Sequence, residues 1–157
     1  MDLALWREYL GHLDRLGDTL ADLTEVEREK TAAVGRGDLD AVDACMKREQ
    51  VFSLNLRGFD QKREKLLAKM GLTGTTLGQL EDLSPPEAVL ETRRTAEKLR
   101  QRYKVFRSAS EVARSALECN LHEIEKLQKE HEAGGEEAWP SPKKSAGPSS
   151  ATASKEF

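Results

Sequence analysis

Apolar side chains recur every three or four positions from the start of the chain, at Leu3, Trp6, Leu10, Leu13, Leu16, Leu20, Leu23 and Val26. That spacing puts them on one face and predicts a helix over residues 2–34. Gly35-Arg36-Gly37 breaks the rhythm, and Asp38 is suited to cap a second helix. A connection of one turn predicts that this second helix runs antiparallel to the first. Its stripe reads Leu39, Val42, Met46, Phe52, Leu56, Phe59, Leu66 and Met70, and Gly71 makes a good stop. Glu49 and Arg63 fall where this rhythm calls for apolar residues.

Residues 71–84 allow at most one short helix, with Leu77, Leu80 and Leu83 facing inward. Ser84, Pro85 and Glu87 read as a capping box with proline at the first helical position. The helix it opens keeps heptad spacing through Ala96, Leu99, Tyr103, Phe106, Ser110, Ala113, Leu117, Asn120, Ile124, Leu127 and His131. A helix of roughly 47 residues would be about 70 Å long, and its 3.5-residue repeat predicts a left-handed supercoil with its neighbours. From Ala133 the composition turns to Gly, Pro, Ser, Ala and Lys, and Pro140, Pro142 and Pro148 forbid a continuing helix. The expected organisation is a helical domain over 1–132 and a disordered tail over 133–157, in which Trp139 is the residue able to dock. The fold class is all-α: an elongated, coiled-coil-like antiparallel bundle of three long helices.

Composition agrees with that picture. Of 157 residues, 38% are apolar, 5% aromatic and 34% charged, lean for a compact globule but suited to helices that each bury one stripe. No stretch approaches the ~20 apolar residues that span a bilayer. The 25 basic and 28 acidic residues leave a net charge of −3, unlike a strongly basic nucleic-acid binder. The first residues, Met1 to Glu8, lack the apolar core of a secretory signal, so a cytoplasmic protein is expected. Cys45 and Cys119 are then expected to be free thiols, buried rather than bridged.

Catalytic and metal chemistry find little support. Cys119 and His122 lie three apart on one helix, but no second metal-binding half accompanies them. Glu8 with His12 and Glu118 with His122 are spaced by four, not the three of the di-metal bundle pattern. Gly71 to Thr76 has a faint phosphate-loop look without the lysine or the preceding strand, and a connector explains it. No catalytic residue, metal ligand or cofactor is expected, and the chain does not read as an enzyme.

Two surfaces on the last helix read as binding candidates. Arg93, Arg94, Lys98, Arg100, Arg102, Lys104 and Arg107 stand against Glu97 alone. They form either an electrostatic docking patch for an acidic partner, or a solvated face matched by Asp14, Asp18 and Asp22 of the first helix. Further on, Ala109, Ser110, Ala113 and Ala116 are narrow, and Leu117, Leu121, Ile124 and Leu127 form a wider apolar band. The first two helices are shorter than the third, so part of this band is expected to face water unless a partner or a second copy covers it.

The second helix carries a resemblance. Gly37-Asp38-Leu39-Asp40-Ala41-Val42, then Lys47-Arg48-Glu49, then Lys62-Arg63-Glu64-Lys65-Leu66-Leu67 through Gly71-Leu72 resemble the central signature of the FlgN-type flagellar export chaperones. Leu77-Gly78-Gln79-Leu80 and the helix containing Asn120 hold the places of that family's connector and C-terminal helix, so the similarity runs over about residues 3–130. The resemblance implies a cytosolic chaperone of flagellar type III export. Such a protein binds C-terminal helical segments of hook–filament junction proteins, prevents their premature assembly and delivers them to the export gate. It implies partner contacts at Ala113, Leu117, Asn120, Leu121, Ile124 and Leu127, with Asn120 as a polar register residue. Glu49 and Arg63 match family positions and point to pairing between helices inside the bundle. The related FliT-type flagellar chaperones are an alternative within the same class. Two readings from other classes stand beside it: a structural coiled coil acting by self-association as a homodimer, and a weak binder of nucleic acid or acidic surfaces through the basic run.

Overall fold

Asp2 starts the first helix by accepting hydrogen bonds from the backbone N–H groups of Ala4 and Leu5, at 3.0 and 3.3 Å, a cap of the kind the sequence favours. In a computed structural model that describes residues 2–133, four helices follow one another. They are α1 (Leu3–Arg36), α2 (Leu39–Lys69), the short α3 (Leu77–Asp82) and α4 (Val89–Ala133). Among the described residues there is no strand, and the fold is all-α. The tail expected over 133–157 starts one residue early, since Ala133 still closes α4, and its remainder, with Trp139, lies outside the described residues.

The turns are built by residues the sequence marks out. Gly37 takes φ 67°, and its N–H and that of Asp38 return to the carbonyls of Val34 and Ala33. Gly71 does the same after α2, at φ 71°, with Gly71 and Leu72 bonding back to Ala68 and Leu67. Both are left-handed positions where glycine carries no Cβ penalty. Asp38 caps α2 through Ala41 N–H at 3.1 Å.

The described residues divide into two units, one ending at Leu117 and the other beginning at Glu118. In the first, α1 is the central element. Its whole expected stripe from Trp6 to Val26 is buried, and Tyr9, His12, Thr24, Glu27, Lys30, Ala33 and Val34 are buried with it. A single stripe would serve one neighbour, and α1 has two. Leu23, Val26 and Cys45 form a core cluster against which Phe52, Leu56 and Phe106 pack. Ala33, Val34 and Val42 form another, with Ala41, Ala116 and Leu117 against it. Each cluster joins α1, α2 and α4. Ascending α1, its partners on α4 ascend (Thr92, Arg102, Leu117) while those on α2 descend (Arg63, Phe59, Glu49, Val42). Over this unit α2 is therefore antiparallel to α1, and α4 is parallel to it. Gly17 makes room for the Arg102 side chain, since a Cβ there would meet Arg102 Cδ at 3.3 Å.

Several local expectations are corrected. Leu39 and Met46 are exposed, and the inner stripe of α2 runs through Val42 and Cys45 instead. Leu77 and Leu80 of α3 are buried, but Leu83 is exposed. The capping box at Ser84 does not form. Pro86–Ala88 make a 3₁₀ turn ahead of α4, with Pro85 at the cap position and no side-chain cap bond. Pro86 lacks one of the N–H groups that a serine cap would accept. Ser84 Oγ instead bonds the Pro85 carbonyl and Thr92 Oγ1. Thr92, fully buried, also accepts from Trp6 Nε1 at 2.9 Å and fastens the start of α4 to α1.

Candidate docking surface on the last helix

The heptad stripe of α4 changes its surroundings along its length. Ala96, Leu99 and Ala113 are buried, and Leu117 is half-buried against the cluster of Ala33, Val34 and Val42. Ala113 thus belongs to the core and offers no free surface. In the second unit, Asn120 is half-buried, while Leu121, Ile124 and Leu127 are 60%, 44% and 64% exposed. Spaced by three residues, they share one side of the helix. Five acidic residues (Glu118, Glu123, Glu125, Glu130, Glu132) and two basic ones (Lys126, Lys129) share these turns, so the band has a mainly acidic rim. Covering the part of each side chain still exposed would gain roughly 1 kcal/mol, about half the value for full burial. Such a surface can hold an apolar helix face.

The basic run sorts into paired and unpaired side chains. Arg102 meets Asp18 of α1, Arg100 meets Glu81 of α3 at 2.7 Å, and Arg107 meets Glu111 of its own helix at 3.5 Å. Arg93, Arg94, Lys98 and Lys104 are exposed and make no ion pair among the described residues. Of the α1 acids expected to answer the run, Asp18 does so, and Asp14 and Asp22 do not.

The two polar interruptions of the α2 stripe face inward, as their positions imply. Glu49 Oε1 lies 2.6 Å from Lys30 Nζ, which also lies 3.4 Å from Glu27 Oε2. Burial alone would lower the Lys30 ammonium, but its hydrogen bond to Glu49 and the two nearby carboxylates outweigh it and hold the pKa above its usual value. Burial, followed by the Glu49 charge, pushes the Glu27 carboxyl up against the pull of Lys30. Arg63 donates to Tyr9 Oη at 3.2 Å and to the Thr75 carbonyl at 3.3 Å, tying α2 to α1 and to the connector. Burial raises the Tyr9 phenol, partly offset by Arg63.

His12, one turn along α1 from Tyr9, donates from Nε2 to the Phe59 carbonyl at 2.8 Å, which leaves Nδ1 buried without a partner. Burial lowers its pKa. Sequence reasoning picked out Glu49 and Arg63 but missed Lys30, Glu27 and Tyr9. The available signal was that a polar residue on an apolar stripe requires a buried partner on the facing helix.

Among the described residues, no group of three or more His, Cys, Asp or Glu side chains is placed to hold a metal ion. Both cysteines are free: Cys45 is buried, its thiol pKa raised by burial and then by Glu29, while Cys119 is exposed, contrary to expectation. No helix among the described residues is long and apolar enough to cross a membrane.

The family model for FlgN protein matches residues 5–134, from the first turn of α1 through the end of α4. The chain belongs to the FlgN family. The resemblance carried by Gly37 to Leu72 therefore holds, and with it a role as a flagellar export chaperone. FlgN is a chaperone family. No curated protein and no solved structure matches the chain.

Proposed function

We propose that this FlgN-family chain is a cytoplasmic chaperone for hook–filament junction proteins, whose C-terminal helical segments it holds on the exposed band of α4. The reading rests on the apolar side of Leu121, Ile124 and Leu127, left exposed in a family of export chaperones. A helix that polymerises through an apolar stripe needs that stripe covered until it is exported, and an apolar helix face is a chemical match for it. Asn120 beside the band sets register, because a polar group at a helix interface favours the pairing that satisfies it. Leu117 sits at the near end of the stripe, and Ala113 acts only through the core beneath it. Delivery to the export gate follows from the same family role and is part of this proposal.

Co-expression of the full chain with the hook–filament junction proteins of its source organism, followed by size exclusion, tests it. A soluble one-to-one complex supports the reading. A chain that forms a concentration-dependent homodimer and ignores those proteins would instead favour the self-associating coiled coil, to which the same exposed band is open.

A further inference from the structure

A second surface lies wholly within the first unit, on the seam between α1 and α4. Two cavities open along it. One, of about 470 Å³, is lined on α4 by Glu91, Arg94, Thr95 and Lys98. The other, of about 360 Å³, is lined on the same helix by Val105, Ser108, Ala109 and Val112. These two sets match position for position two heptads apart: 91 with 105, 94 with 108, 95 with 109 and 98 with 112. On α1, Arg7, Leu10, Gly11 and Asp14 line the first cavity, and Arg28 and Thr31 line the second, in the same order along the seam. A seven-residue repeat returns to the same side of a packed helix. The cavities are therefore two ends of one seam, with the Asp18–Arg102 ion pair between them.

The two ends differ in chemistry. At the first, Arg7 is paired with Glu91, while Arg94 and Lys98 stand one turn apart with no ion pair among the described residues. At the second, the α4 wall is Val105, Ser108, Ala109 and Val112, of which Val112 is 53% exposed. Small side chains there let another backbone come close. Fourteen residues of α4 separate the ends, about 21 Å.

We propose that this seam docks an amphipathic helix from a partner protein, distinct from whatever covers the band at Leu121, Ile124 and Leu127. Two carboxylates one turn apart on that helix meet Arg94 and Lys98. Apolar side chains about four turns further along it fill the end at Val105, Ala109 and Val112. An acidic helix fits better than nucleic acid. Asp14 and Glu91 share the cationic end and would repel a continuous phosphate backbone, and the other end is apolar.

The probe is a labelled 25-residue designed helical peptide carrying two glutamates spaced by four, followed two heptads on by leucines at i, i+4 and i+7. A control peptide has lysines in place of the glutamates. Fluorescence anisotropy with the full chain is expected to favour the acidic peptide by about tenfold or more at low salt. R94E with K98E reverses that preference, V112E removes binding of both peptides, and Leu121→Glu with Leu127→Glu leaves the binding of these two peptides as in wild type. Circular dichroism checks each fold, and Arg94→Gln with Lys98→Gln provides a milder pair that abolishes the preference. Absence of binding, equal binding of the two peptides, or loss of binding in the Leu121/Leu127 variant would overturn the proposal. So would sedimentation showing that V112E dissolves a homodimer, which would give the seam to a second copy. Loss of substrate binding at the band alone would leave this result untouched, so the two docking claims fail separately.

Discussion

Two stretches of α4 carry the same heptad stripe with opposite outcomes. In residues 96–117 the stripe is core, with Ala96, Leu99 and Ala113 almost fully buried. In residues 118–133 its Ile124 and Leu127 are exposed, as is Leu121 beside them. Periodicity marks a face that prefers to be covered, but it does not say by what. Inside the first unit the cover is α1 and α2. For the later turns, the cover proposed above is a partner helix.

The contrast is sharpest where the core is cut. Trp6 is fully buried and donates to Thr92, so Trp6→Ala is expected to cost about 3–5 kcal/mol in urea unfolding. Leu127→Ala, the same kind of truncation on the exposed stretch, should change stability by no more than about 0.5 kcal/mol. Equal losses at the two sites would remove the distinction between the stretches.

A smaller but still large effect is expected at the buried ion triad. Lys30→Met leaves Glu27 and Glu49 facing each other without their cation and should cost about 3 kcal/mol near neutral pH. The loss should shrink in acid as Glu27, whose pKa is raised by burial, takes up a proton. Replacing all three side chains together, by Glu27→Leu, Lys30→Met and Glu49→Leu, should recover most of it, because apolar packing then replaces charge. A melting series across pH separates these outcomes.

His12 gives a gentler dependence. Its pKa is lowered in the folded chain by burial, so the unfolded chain binds the proton more readily. The stability due to neutral His12 is therefore complete above its ordinary pKa of about 6.5 and declines as pH falls below it. Glu27, whose pKa is raised, contributes the opposite slope, because its folded form takes up a proton more readily as pH falls. His12→Gln keeps a donor for the Phe59 carbonyl and removes the titration. Wild type should lose stability relative to this variant below about pH 6.5, and parallel curves would contradict the assignment.

Much of this was legible because helices repeat. The α1 stripe, the glycine stops at Gly37 and Gly71, and the inward roles of Glu49 and Arg63 all follow from local spacing and from the cost of burying polar groups. What the sequence left open depends on neighbours. Cys45 and Met46 are adjacent candidates at i+3 and i+4 from Val42, and only the facing cluster of Leu23 and Val26 selects Cys45. The double face of α1 was hidden because Tyr9, His12, Glu27 and Lys30 look like solvent residues until partners on α2 bury them. Ser84 misled because its hydroxyl found Thr92 across the turn rather than a backbone donor. At the candidate site, the sequence marked the band and the basic run. It could not tell that Ala113 is core, or that Arg100, Arg102 and Arg107 already have partners.

Whether substrate docks on the exposed stretch of α4 is decided by titrating a hook–filament junction protein into wild type and into the Leu121→Glu, Leu127→Glu double variant. Wild type should form a one-to-one complex, and the variant should lose it with helicity and melting temperature unchanged. A variant that binds as tightly as wild type, or one that unfolds, would contradict docking at that band.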